Sequence, residues 1–131
     1  MVKKLVLTIN VRTHAAEVLK SGSVKVTMIP FEGEAAGEYF SGKTVGQSVD
    51  TQIARKDSFS LSARYMLEGT DFNGEKCRVF IENNGTSTDS CKPTVYTDSK
   101  ALSFLEAAEL SAVVECVEGG VIVRIYIMAE K

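Results

Sequence analysis

The chain has one histidine, three cysteines and no tryptophan, too few of the first two for any site that needs several of them. His14 alone cannot build a metal centre and reads as a rim residue at the end of the first strand. Cys77, Cys91 and Cys116 are odd in number, widely spaced and form no C-x-x-C pair, so neither a disulfide framework nor a zinc site is expected. Cys77 and Cys116 read as small buried hydrophobes in strands, and Cys91 as a loop thiol. With a single histidine at hand, a Cys–His nucleophile is not expected. Charge of one sign is also lacking. A net charge of −2 and a pI near 5.5 give no electrostatic basis for binding nucleic acid or an acidic membrane. No apolar run approaches the length that spans a bilayer. The first residues, Met1-Val2-Lys3-Lys4, are basic, but Thr8 and Asn10 interrupt the apolar residues after them. No signal peptide is expected, and the cytoplasm is the expected location. No cofactor and no metal are expected.

What is present in amount is hydrophobic residues, 44% against 24% charged, in a 131-residue chain. That composition is ordinary for one soluble domain, residues 1–131, with a single core. One strong motif stands in it. Gly37–Thr44, GEYFSGKT, satisfies the P-loop pattern G-x-x-x-x-G-K-[ST]. A P-loop needs small residues that let backbone N–H groups wrap phosphates, then a helix. Here the loop would hold Glu38, Tyr39, Phe40 and Ser41, and Glu38 puts a carboxylate where an anion should sit. Beyond Thr44, Gly46 falls in the would-be first helical turn, and Val49, Thr51 and Ile53 alternate as in a strand. Nucleotide binding is therefore rejected, and Lys43 is assigned to strand backbone.

Taken in order, residues 3–13 alternate, with Leu5, Leu7, Ile9 and Val11 on one face. Residues 15–20 read as a connector. A strand over 24–31 ends at Pro30, which lacks an N–H and belongs at an edge or bulge. Residues 32–36 read as a loop, 37–44 as a strand, 46–48 as a turn and 49–55 as another strand. In the clearest segment, Phe59, Leu61, Ala63, Tyr65 and Leu67 face one way and Ser60, Ser62, Arg64, Met66 and Glu68 the other. Asn73-Gly74 marks a hairpin leading to a strand over 76–83. A Gly/Ser/Thr/Asp-rich loop comes next, then a strand over 93–97. Asp98-Ser99 can cap a short helix over 100–107. A last hairpin, 110–117 and 121–128, is apolar on both faces, so either the helix or another subunit should cover it. The fold class is all-β, a closed antiparallel barrel of about eight strands with one short helix before the C-terminal hairpin; closure removes the sheet edges. A two-sheet sandwich is the alternative.

Several stretches resemble a microbial family. They are 37–52, Ala63-Arg64-Tyr65-Met66-Leu67, Ile81-Glu82-Asn83-Asn84-Gly85, and Pro93-Thr94-Val95-Tyr96-Thr97 with Leu102-Ser103-Phe104-Leu105. The family is a domain of unknown function among the allene-oxide-cyclase-like barrels, near the dirigent proteins. The resemblance covers most of the chain from about Ser21. This chain carries Gln47-Ser48-Val49-Asp50-Thr51 where the family usually has Gly-Gly-x-Asp-Trp, so the indole is missing. The resemblance implies a closed antiparallel barrel and no particular reaction.

The residues that could carry chemistry are Asp50, Arg64, Tyr65, Glu68 and Asn83, with Tyr39 and Phe59 as further candidates for contact with a ligand. Asp50 and Arg64 lie on successive strands, as an ion pair between them or as a polar cluster at a cavity mouth. Arg64 and Tyr65 cannot both face inward; if Tyr65 lines the interior, Arg64 lies outside. Glu68 could act as a general base if partly buried, and an inward tyrosine such as Tyr65 would also suit catalysis. Three functions are open. The first is binding of a small hydrophobic metabolite inside the barrel. The second is cofactor-independent isomerase or cyclase chemistry on such a ligand. The third is a structural role in a homo-oligomer.

Overall fold

The computed structural model describes residues 2–129. Nine strands and one helical turn succeed each other as β1 (Val2–Thr13), β2 (Glu17–Lys20), β3 (Val24–Ala36), β4 (Phe40–Arg55), β5 (Phe59–Asp71), β6 (Lys76–Gly85), β7 (Cys91–Thr97), α1 (Phe104–Ala107), β8 (Leu110–Val117) and β9 (Gly120–Ala129). All pairings are antiparallel, in the order β1-β9-β8-β7-β6-β5-β4-β3-β2, and β1 also pairs with β3. That last ladder closes an eight-stranded barrel, with β2 as an extra strand on the first half of β3. Closure at β1–β3 satisfies the backbone groups that a flat sheet would leave at two edges.

The alternation in the sequence becomes the inside and outside of this barrel. Ile9, Leu67, Ile81 and Ile125 are fully buried in the interior, with Val11, Leu61, Tyr65, Val79, Val95 and Val123 around them. Residues 32–55 differ from expectation. Residues 32–36 are strand, because Gly33 and Gly37 let β3 press against β1. A Cβ at Gly37 would stand 2.3 Å from the Val6 carbonyl oxygen. The chain turns at 37–39 instead, and β4 runs unbroken from Phe40 to Arg55. The turn expected at 46–48 is a wide bulge. Val45 pairs with Met66 and Val49 with Arg64, so three residues oppose Tyr65 alone. Gly46 supplies the φ of +69° that the kink needs, while ladders on both flanks keep the strand going. Lys43 sits in this ladder between Glu34 and Glu68, and a Cβ at Gly42 would meet the Glu68 carbonyl oxygen at 2.5 Å. The glycines of the P-loop match serve strand packing and the tight turn, and no helix succeeds them.

Pro30 lies where β1 hands over to β2 along β3, and its carbonyl accepts a hydrogen bond from the His14 N–H. The N–H it lacks is thus spared at a gap between two ladders. The expected connector at 15–20 contains the short strand β2. Cys77 is buried as expected, but Cys91 is buried in β7 and Cys116 is exposed, the reverse of the sequence assignment. β7 begins earlier than the proline suggested, at Cys91.

One end of the barrel is plugged. The segment between β7 and β8 folds under it and buries Leu102 and Leu105 in the core. Ser99 ties this plug to the β5–β6 hairpin. Its hydroxyl donates to Asp71 Oδ2 at 2.7 Å and accepts from the Leu102 N–H at 3.2 Å. Asp71 Oδ1 accepts from the N–H groups of Asn73 and Glu75. The Ser99 hydrogen bond, and after it these two backbone bonds, hold the Asp71 carboxyl below its ordinary pKa. A folded value below the unfolded one means the stabilisation is complete above the unfolded pKa and is lost as pH falls through the folded value. Asp71→Ala is therefore expected to lower Tm clearly at neutral pH. Thermal melts of both proteins at decreasing pH should show the gap narrowing only in acid, below the usual carboxylate pKa; a gap independent of pH would contradict this role.

The helix does not cover the outer face of the last hairpin. Ile122, Tyr126 and Met128 stand there half-buried, interrupted by Arg124, which pairs with Glu115 at 2.8 Å. Among the described residues no helix is long and apolar enough to cross a membrane.

Candidate functional site

The end opposite the plug is open. A cavity of about 290 Å³ lies there, between the second half of β1, the middle of β3 to β6, and the β8–β9 turn region. Its walls are mostly apolar: Val11, Ile29, Phe31, Leu61, Ala63, Val114, Val121 and Val123. Exposed Thr13, Thr88 and Cys116 stand at its mouth. The size and lining suit a small organic molecule.

Three polar side chains converge on the floor, and the register explains how. Asp50 of β4 pairs with Ala63 of β5, and Ala63 pairs with Asn83 of β6. Cross-strand partners point to the same face, so all three project inward in one row. Ala63 has only a methyl group, which leaves open the space between Asp50 and Asn83. Tyr65, two residues along β5 on the same face, borders this space opposite the β4 bulge. Its ring packs edge-on against Phe31, with centroids 5.4 Å apart.

These groups are buried and incompletely satisfied. Asn83 is 2% exposed and Tyr65 is 4% exposed, yet among the described residues Asn83 Oδ1 and the Tyr65 hydroxyl have no hydrogen-bond partner. Asp50 Oδ2 accepts from Gln52 Nε2 at 3.0 Å, while Asp50 Oδ1 has no partner among the described residues. Orphaned buried oxygens are uncommon and call for an occupant or a function. Burial pushes the Asp50 carboxyl pKa up, against the hydrogen bond from Gln52. Burial also raises the Tyr65 phenol far above its ordinary value, so it stays a neutral hydroxyl. The buried Cys91 thiol beside them is likewise raised, chiefly by burial, and donates to the Ser87 carbonyl at 3.2 Å. A thiol so placed is no nucleophile at neutral pH.

The remaining sequence candidates lie elsewhere. Arg64 points outward and pairs with Glu82 at 2.6 Å. It makes no ion pair with Asp50, because strand alternation puts the two on opposite faces. Glu68 is also outside, paired with Arg78 at 3.0 Å, in mid-strand and exposed, which removes it as a buried general base. Tyr39 belongs to the plugged end. It packs edge-on against Phe72 and Phe104, and accepts from Lys4 Nζ at 2.8 Å. Phe59 has the inward parity but lies beyond the rim, where β4 and β5 overrun the barrel, and is 37% exposed. Gln52, Phe31 and Val121 line the cavity and were not singled out from the sequence. Their alternation with known inward residues was the available signal, but the bulges had to be known to count it correctly. Among the described residues no group of His, Cys, Asp and Glu could hold a metal ion, and no Lys, Arg or His lines the cavity.

No protein-family model matches the chain, and no curated protein matches it. Solved structures do. A protein of unknown function from Clostridium acetobutylicum ATCC 824 superposes with a TM-score of 0.83 at 22% identity, over 98% of this chain and 100% of that one. A beta-barrel-like protein from Acinetobacter baumannii AYE gives 0.79 at 17% identity, over 97% and 95%. A protein described as an enzyme from Penicillium herquei gives 0.78 at 13% identity, over 96% and 93%. At such identities the likeness is one of fold: this chain is an antiparallel β-barrel of the kind these proteins share.

Proposed function

We propose that the protein binds a small, largely apolar organic molecule in the open end of its barrel. The observation that carries this reading is a cavity of about 290 Å³ whose floor holds three polar side chains with unpartnered oxygens. A void kept only by imperfect packing would be lined by apolar groups alone; polar side chains in its lining suggest a ligand that meets them. Isomerase or cyclase chemistry on such a ligand is the second reading. It draws on the raised Asp50 carboxyl, a group suited to moving a proton, and on the barrel neighbour described as an enzyme. We also infer affiliation with the allene-oxide-cyclase-like barrels, from the motifs around Ala63-Arg64-Tyr65 and the shared barrel. Self-association through the apolar outer face of β9 is a further proposal, and light scattering that reads only a 14.2 kDa monomer at working concentration would remove it.

The test of binding is a thermal-shift screen with compact bicyclic hydrocarbons and their alcohols, amines and acids. A ligand of the native state raises Tm in a concentration-dependent way. At least one member of the series is expected to do so. A flat response across the series at saturating concentration would contradict the reading.

A further inference from the structure

The cavity contains one ionisable carboxyl and, among the described residues, no cation to meet it. The single arginine adjacent in sequence to the inward-facing tyrosine is turned outward and taken by Glu82. Asp50 and Asn83 flank Ala63 in register and Tyr65 lies two residues along β5; among the described residues Asp50 Oδ1, Asn83 Oδ1 and the Tyr65 hydroxyl have no partner. Since none of them has a partner, none is bonded to another. All three can accept a hydrogen bond, and one of them can carry a full negative charge. An alkylammonium group presents three N–H donors, no acceptor and one positive charge.

We infer that the ligand is an organic amine, bound as its ammonium ion over Ala63, with an apolar body against Phe31, Val121 and Val123. The inference rests on the binding function proposed above and names the chemical class it takes. An ammonium beside Asp50 would neutralise a carboxylate otherwise isolated among apolar walls, where an unpaired charge is costly. A carboxylate or phosphate ligand would meet Asp50 with like charge and would find no cationic partner. A neutral alcohol brings no charge to offset that of Asp50. The outer ion pairs do not supply an alternative amine site of this kind, because Glu68 and Glu82 already hold Arg78 and Arg64 in solvent.

The test uses four probes on one skeleton: naphthylmethylamine, naphthylmethanol, naphthoate and methylnaphthalene. Affinities are read at neutral pH from naphthalene fluorescence. A charge-assisted contact should favour the ammonium over the alcohol by about tenfold or more, with naphthoate weakest. Asp50→Asn, which preserves shape, should bring the amine down to the level of the alcohol while leaving methylnaphthalene unchanged. Asp50→Ser serves if the first variant does not fold. Amine and alcohol binding equally well, or naphthoate binding best, would overturn the amine assignment and leave the cavity as a binding site. An amine preference that survives loss of Asp50 would overturn it too. If no probe binds, the cavity function itself falls.

Discussion

Replacing Ala63 with phenylalanine is expected to abolish ligand binding, by about a hundredfold or more, and to leave the barrel folded. The small side chain at this position is what separates Asp50 from Asn83 on the inner face, since both pair with it directly across the sheet. An aromatic ring built there enters the cavity of about 290 Å³ that Ala63 lines. Overpacking a filled core costs about 1–3 kcal/mol; a ring entering open volume should cost at the low end of that range or less. Loss of a whole binding volume, by contrast, removes every apolar contact of the ligand at once. Fluorescence titration and a urea melt on the same protein check the two halves. Retained affinity in a folded Ala63→Phe protein would place the ligand somewhere else.

The second large effect concerns stability. Ile81→Ala should destabilise the fold by about 2–5 kcal/mol. Ile81 has no exposed surface and lies in β6 between Tyr65 of β5 and Val95 of β7. It sits at the level where the open half of the barrel meets the half packed against α1 and Leu105. The backbone there is fixed by ladders on both sides, so the space left by the deleted groups cannot collapse. Against a total stability of roughly 5–15 kcal/mol, the loss is large enough to read as a lower urea midpoint at unchanged slope. A loss below about 1 kcal/mol would show that this level of the barrel is loosely filled, contrary to the packing described.

The strands and their inner faces were legible in the sequence wherever alternation ran without a break; closure into a barrel, against a two-sheet sandwich, was not, because it rests on the β1–β3 ladder between distant segments. Leu61, Ala63, Tyr65 and Leu67 face inward as their spacing required, and Arg64 consequently faces out. Bulges defeated the same reasoning elsewhere. In β1 the register slips between Leu5 and Leu7, which buries Val6 and leaves Leu5 45% exposed. In β4 the bulge opposite Tyr65 looked like a turn because Gly46 has the residue type and the φ of one. Bulges arise from the curvature that closure demands, a property of the whole sheet that local spacing does not carry. The candidate site shows the same division. Asp50, Tyr65 and Asn83 were picked out as polar groups on strands and do meet in the cavity. Arg64, Glu68, Tyr39 and Phe59 were picked out for equally good local reasons and do not. Their fate depends on which strand end is plugged and which partner lies across. The partner of Arg64, for example, is Glu82 on β6, not the aspartate on the preceding strand.

Everything proposed for the cavity requires that a molecule enter the open end of the barrel above Ala63. Backbone amide NMR during titration with naphthylmethylamine tests this most directly. The predicted result is a saturable set of shift changes centred on Asp50, Ala63, Asn83 and Val121, with the plugged end around Leu105 unmoved. Shifts confined to the outer surface, or none at a concentration where the probe is soluble, would contradict it.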